Sequence, residues 1–93
     1  MEVLTKIAIE NLSKEELEKR GIFSWSIWKK NNSRFDWFYD TTEQCYILEG
    51  KVIIEIEDGE KVKIGKGDFF TFPKGLSCVW DIKESIRKHY NFK

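Results

Sequence analysis

Glu43, Cys45 and Cys78 are the side chains of this sequence whose types are best suited to chemistry. A carboxylate can act as an acid, a base or a metal ligand, and a thiolate can act as a nucleophile or a ligand. Glu43 and Cys45 share strand parity, so they face the same side of a strand, and Cys78 can lie across from them. Two interpretations stay open: a Glu-Cys-Cys cluster in which Glu43 and Cys78 are catalytic, or a solvated carboxylate with two small buried thiols.

Aromatic residues are the second group that bears on function, with four tryptophans, three tyrosines and seven phenylalanines in 93 residues. Such rings line pockets for flat or amphipathic molecules, but they also fill cores, and both roles fit this chain. An inward Lys88 would suit a carboxylate or ureide ligand, whereas most lysines are solvated. The predicted ligand pocket consists of Trp37, Tyr39, Glu43, Cys45, Cys78, Trp80, Lys88 and Tyr90.

Short alternating segments separated by turn residues must position these side chains. From Ile22 onward, apolar residues recur with the period of two that is typical of β-strands. Gly50 and residues 83–85 interrupt two of these segments, and Asp58-Gly59 is a strong signal for a two-residue hairpin. The pattern predicts an all-β sandwich or barrel.

The N-terminal part of the chain carries the one helix signal. Residues 3–9 alternate loosely, as an edge strand does, and Ser13 with Glu16 three residues later forms a capping box. Gly21 is placed to end this short helix. We therefore predict one domain over residues 1–93, with an N-terminal strand and helix in residues 1–21 and the barrel in residues 22–93.

Two segments together resemble the signature motifs of the cupin superfamily. They are residues 43–50, Glu-Gln-Cys-Tyr-Ile-Leu-Glu-Gly, and residues 67–75, where Gly-Asp is followed by Pro-Lys-Gly. The chain is most similar to the small single-domain cupins grouped with the cupin domain of (S)-ureidoglycine aminohydrolase. The resemblance implies a jelly-roll barrel with one open mouth and a pocket lined by both motifs.

The same resemblance bears on metal binding. Glu43 matches the glutamate ligand of metal-binding cupins, but their paired histidines fall on Trp37 and Tyr39, or on Asp36 and Phe38. Their later histidine falls on Cys78. Because a transition-metal site needs three or four converging donors, no tightly bound metal or other cofactor is expected. Glu43 and Cys78 are the remaining weak candidates, and the alternative is a divalent metal such as manganese.

Composition excludes several classes of partner. Sixteen basic and sixteen acidic residues cancel, and no basic stripe suits a run of phosphates, so nucleic acid is not an expected partner. No apolar run approaches the roughly 20 residues that span a bilayer, and no signal-peptide pattern is visible, so we expect a cytoplasmic protein. The excess of aromatics predicts a homodimer.

Three functions remain open. The favoured one is a small-molecule-binding or accessory cupin of unknown ligand without the usual histidine-based metal site. The second is a metal-dependent or cysteine-assisted hydrolase related to ureidoglycine aminohydrolase, for which the resemblance implies manganese and release of ammonia from a ureide. The third is a structural dimerisation module.

Overall fold

Seven β-strands and one short α-helix make up the regular structure of the residues that our computed structural model describes, 7–56 and 59–92. A single turn of 3₁₀-helix, Ile22–Ser24, follows the α-helix. The strands are β1 (Ala8–Glu10), β2 (Ser26–Lys30), β3 (Ser33–Phe38), β4 (Glu43–Ile56), β5 (Lys61–Gly65), β6 (Phe69–Phe72) and β7 (Ser77–Phe92), and the helix is α1 (Lys14–Lys19).

All the strand pairs are antiparallel, and β4 and β7 form the centre of the sheet. They pair with each other from Glu43 opposite Phe92 to Ile56 opposite Cys78. β4 also pairs with β5 and β6, while β7 also pairs with β2 and β3. β1 extends the sheet from β6. The all-β prediction with one short helix is confirmed.

The helix begins where the sequence predicts. The Ser13 hydroxyl accepts a hydrogen bond from the backbone N–H of Glu16 at 3.1 Å, which satisfies one of the free donors of the first turn. Gly21 follows with a φ of 69°, a left-handed conformation that glycine adopts without penalty. The chain then leaves the helix axis, with Ile22 fully buried.

Two predicted breaks are wrong, because β4 and β7 each run through them. β4 passes Gly50 without ending, and its pairing with β7 shifts register between Ile47 and Val52. Residues 83–85 are polar and exposed, as turn residues often are, but they lie within β7. Gly50 has a φ of 98° and lies against the backbone carbonyls of Glu84 and Ser85. Both strands therefore bend together at a β-bulge instead of ending.

The predicted strand from Ile22 starts later than expected. Ser24 donates a hydrogen bond from its hydroxyl to the Gly21 carbonyl at 2.7 Å, and this turn precedes β2. Of the predicted edge strand at residues 3–9, residues 3–6 lie outside the described residues, and β1 covers Ala8–Glu10. Asp58 of the predicted hairpin also lies outside them, although β4 and β5 pair on either side of it.

The main hydrophobic core lies between the inward faces of the two long strands and their neighbours. Its fully buried members include Ile47, Ile54, Phe70 and Phe72. A smaller cluster beneath the helix contains Leu17, Ile22 and Phe69, with Trp25 packed against it. Within the described part of the chain, no helix is long and apolar enough to cross a membrane.

Candidate functional site

A cavity of about 180 Å³ opens between β2, β3, β7 and the start of β4. Strand alternation explains its lining, since Phe35, Trp37 and Tyr39 share one face near β3, and alternate residues of β7 share another. Trp37 and Phe92 are exposed, whereas Glu43 and Lys88 are buried. The full lining is Trp28, Phe35, Trp37, Tyr39, Glu43, Trp80, Lys88, Tyr90 and Phe92.

A buried ion pair provides the charge in this lining. The Lys88 Nζ atom donates to Glu43 Oε2 at 3.2 Å, and the two side chains are only 6% and 5% exposed. Glu43 is the first residue of β4, and Lys88 pairs with Ile47 four residues further along the same strand. The two side chains therefore reach toward each other across the cavity wall, and the ammonium group lies beside the carboxylate.

Cys45 completes the buried polar cluster. Its Sγ–H donates to Glu43 Oε2 at 3.1 Å, and its sulfur accepts from Lys88 Nζ at 3.4 Å. Burial raises the pKa of the Cys45 thiol far above its ordinary value, with Lys88 opposing this effect and Glu43 adding to it. The thiol is therefore a hydrogen-bonding group of the cluster and not a reactive thiolate.

Two tryptophan rings contact the same ammonium group. Lys88 Nζ lies 4.8 Å from the ring centroid of Trp28 and 4.5 Å from that of Trp80, both within cation–π range. The indole N–H of Trp80 donates to the Tyr39 hydroxyl at 3.0 Å, which fixes the orientation of that ring. Burial, together with the Glu43 carboxylate, raises the pKa of Tyr39, so its hydroxyl stays protonated.

Six of the eight residues predicted for the pocket line this cavity: Trp37, Tyr39, Glu43, Trp80, Lys88 and Tyr90. Cys45 contacts Glu43 and Lys88 without lining the cavity. Cys78 pairs with Ile56 at the far end of β4 from Glu43, and it lines a separate groove with Asp36 and Phe38. The structure therefore brings Glu43 and Cys45 into contact, whereas Cys78 has no hydrogen bond with either of them among the described residues. Cys78 nevertheless lies close enough to Tyr39 to contribute, with Glu43 and Cys45, to the raised pKa of that hydroxyl.

Three lining residues, Trp28, Phe35 and Phe92, are absent from the sequence prediction. Phe35 has the parity of Trp37 and Tyr39, and Phe92 has the parity of Lys88 and Tyr90, so strand alternation could have found both. Trp28 depends on the pairing of β2 with β7, which places it opposite Lys88. No local sequence pattern predicts the register between these two strands.

The donors present do not fit a transition-metal site of the cupin type. The Glu43 carboxylate already accepts from Lys88 and Cys45, and an ammonium group at 3.2 Å repels a divalent cation. Among the described residues, no three histidine, cysteine, aspartate or glutamate side chains converge as ligands would. The single histidine, His89, lies 2.9 Å from the Trp25 carbonyl through Nδ1 and does not line the cavity.

The antiparallel strands, their two long central members and a cavity between them define a cupin-type jelly roll. Residues 17–90 match the family of EutQ-like cupin domains, and the chain belongs to this family. A comparison with curated protein sequences found no match.

Solved structures support the same assignment. A DUF861 family protein from Thermotoga maritima is 52% identical, with a TM-score of 0.93 over 95% of this chain and 100% of that one. An ethanolamine utilization protein Q from Salmonella typhimurium LT2 is 25% identical, with a TM-score of 0.65 over 92% of this chain and 68% of that one. An RmlC-like cupin from Shewanella frigidimarina NCIMB 400 shares the fold alone, at 14% identity and a TM-score of 0.55, over 71% of this chain and 64% of that one.

Proposed function

We propose that this protein binds a small, largely apolar organic molecule in the cavity between β2, β3 and β7, with Lys88 and Glu43 as its polar contacts. The observation that carries the proposal is the buried Lys88–Glu43 pair in the wall of an otherwise aromatic cavity. A buried ion pair stabilises a fold little better than apolar residues of similar volume, and often less well. The position of the pair in the cavity wall is explained if Lys88 and Glu43 form polar contacts with a bound ligand.

The shape of the cavity supports the same proposal. Its rim carries the exposed rings of Trp37 and Phe92, and its wall carries the buried charges. Small-molecule sites typically combine an apolar lining with a few polar groups that fix orientation. The volume of about 180 Å³ compares with a cavity of about 150 Å³ that accommodates benzene, so the ligand core is on the order of one ring.

A matched pair of variants tests the proposal. Fragments of one or two rings are screened by thermal shift, and dissociation constants of the hits are measured by calorimetry. Phe92→Ala removes a ring from the cavity rim, whereas Phe38→Ala removes an equally exposed ring that does not line this cavity. We expect hits whose affinity falls at least about fivefold in Phe92→Ala and stays unchanged in Phe38→Ala. An absence of hits, or equal losses in both variants, would refute the proposal.

The hydrolase related to ureidoglycine aminohydrolase is the competing function. It needs Glu43 and Cys78 to act on one substrate, but Cys78 lines a different groove from the cavity that Glu43 lines. Metal analysis of protein purified without chelators separates the two functions. About one equivalent of bound manganese, lost in Glu43→Gln, would favour the hydrolase.

The predicted homodimer and cytoplasmic location also belong to the proposal. Exposed rings, among them Phe23, Phe38 and Phe92, are apolar groups of the kind that we expect a second copy to cover. Light scattering on the purified protein tests this, and a monomer at all concentrations would remove the dimerisation module from consideration. Two free cysteines suit a reducing compartment.

A further inference from the structure

The position of the Lys88 ammonium group resembles that of a bound ligand. Proteins recognise alkylammonium ions by placing them against aromatic faces, often with a carboxylate nearby. Here the faces of Trp28 and Trp80 and the Glu43 carboxylate supply those three contacts, and the cation that they hold is the chain's own lysine. The cavity thus contains a cation-binding position that is already filled.

Hydrogen-bond counting shows what Lys88 can still offer. An ammonium group has three N–H donors. Two are directed to Glu43 Oε2 and Cys45 Sγ, at 3.2 and 3.4 Å. One donor is left, and Lys88 lines the cavity. A ligand with an acceptor oxygen can therefore complete the hydrogen bonding of the lysine.

The charges of the cavity decide which acceptor fits. Glu43 and Lys88 are the charged residues among the described residues that line it, and their charges cancel. A carboxylate ligand would bring a second anion close to Glu43 in a poorly solvated site. An ammonium ligand would be repelled by Lys88, and the Glu43 carboxylate and both tryptophan rings already contact the Lys88 ammonium group. A neutral carbonyl oxygen accepts the remaining N–H without either repulsion.

We propose that Lys88 is a specificity-determining residue that fills the cavity's own ammonium position, so that the protein selects neutral aromatic carbonyl compounds and rejects amines. This inference rests on the proposed function and names the class of ligand for the same site. The inference predicts that the charges of Lys88 and Glu43 set the specificity, and each charge can be removed by a separate substitution.

Three probes of nearly equal size test the inference: benzamide, benzoate and benzylamine. Calorimetric titrations at neutral pH measure their affinities for the wild-type protein, and we expect benzamide to bind at least about tenfold more tightly than either charged probe. In Lys88→Met the ammonium position is vacated beside Glu43, so benzylamine should gain at least about tenfold and overtake benzamide.

Glu43→Gln provides the second variant, because it retains the lysine and removes the opposing anion. There benzoate should gain at least about tenfold and overtake benzamide, while benzylamine remains weak. Circular dichroism and melting curves verify that each variant is folded.

The possible failures are distinguishable. Equal binding of all three probes by the wild-type protein, with no reordering in either folded variant, would overturn the role of Lys88 while leaving the cavity as a binding site. No binding of any probe or fragment by the wild-type protein would overturn both the inference and the proposed function.

Discussion

The ammonium nitrogen of Lys88 lies 3.2 Å from the carboxylate of Glu43, and both groups are shielded from solvent in the wall of an aromatic cavity. The two residues are 45 positions apart in sequence, and the antiparallel pairing of β4 with β7 brings them together. Their pairing relates the stability of the fold to the chemistry of the site, because each group keeps the other from being a lone buried charge.

Removing Lys88 should therefore be costly. Lys88→Met leaves the Glu43 carboxylate buried without its partner, and we expect a loss of about 3–5 kcal/mol in the free energy of unfolding. Lys51→Met is the matched control, because Lys51 forms an ion pair with Glu84 at 3.6 Å in which both side chains are mostly exposed. The control should change stability by less than about 0.5 kcal/mol. Urea denaturation measures both values. Similar losses would show that the buried pair contributes no more to stability than the exposed pair does.

The hydrogen bond from Trp80 to Tyr39 should hold one wall of the cavity. Tyr39→Phe leaves the buried indole N–H without its acceptor, which should cost about 1–3 kcal/mol of stability. Tyr46→Phe is the control, since the Tyr46 hydroxyl has no hydrogen bond in the part of the chain described here. Chemical denaturation of both variants measures the difference. Equal stability of the two variants would contradict the role assigned to this bond.

Thiol alkylation should depend on pH and differ between the cysteines. Burial raises the pKa of the Cys78 thiol to about 11, so only about one thiol in a thousand is ionised at pH 8. The alkylation rate of Cys78 should rise about tenfold per pH unit up to that pKa, because the thiolate is the reacting form. The pKa of Cys45 is raised further, so Cys45 should react more slowly throughout.

Iodoacetamide labelling followed by mass spectrometry measures both rates in the native protein. Cys78→Ala leaves Cys45 as the remaining thiol and isolates its rate. Urea-unfolded protein should label both cysteines rapidly. Native Cys45 reacting as fast as Cys78 would contradict its burial within the cluster with Glu43 and Lys88.

Gly50 should be the least replaceable glycine among those with a positive φ. A Cβ atom there would overlap the backbone carbonyl of Ser85, whereas a Cβ at Gly67 would meet no atom within 4 Å. Both residues have a positive φ, 98° and 91°, so both alanine variants carry the same conformational strain. We expect Gly67→Ala to lose about 1–2 kcal/mol and Gly50→Ala more than about 3 kcal/mol. Thermal and urea unfolding compare them, and equal losses would exclude the close approach of β4 to β7.

The sequence allowed the fold class and most of the cavity to be predicted, because both depend on local alternation. Trp37 and Tyr39 share a strand face, as do Lys88 and Tyr90, and a period of two is visible without any structure. The capping of the helix by Ser13 is equally local.

Long-range register could not be predicted in the same way. Trp28 was missing from the predicted pocket, because its place there depends on the pairing of β2 with β7, which sets it opposite Lys88. The bulge near Gly50 also depends on contact with a strand more than thirty residues away, so a glycine and an exposed polar run were misread as the ends of strands. In each case the deciding interaction joins residues that are distant in sequence.

The tryptophan indole signals report directly on whether a ligand binds beside Lys88. Nitrogen-15 NMR spectra of the labelled protein are recorded during a benzamide titration, with the four indole N–H signals assigned from Trp→Phe variants. We expect the signals of Trp28 and Trp80 to shift and saturate together, while the signal of Trp25, which packs in the second cluster near Phe69, stays in place. If the Trp28 and Trp80 signals do not move at saturating benzamide, or if Trp25 responds instead, the cavity beside Lys88 is not the binding site.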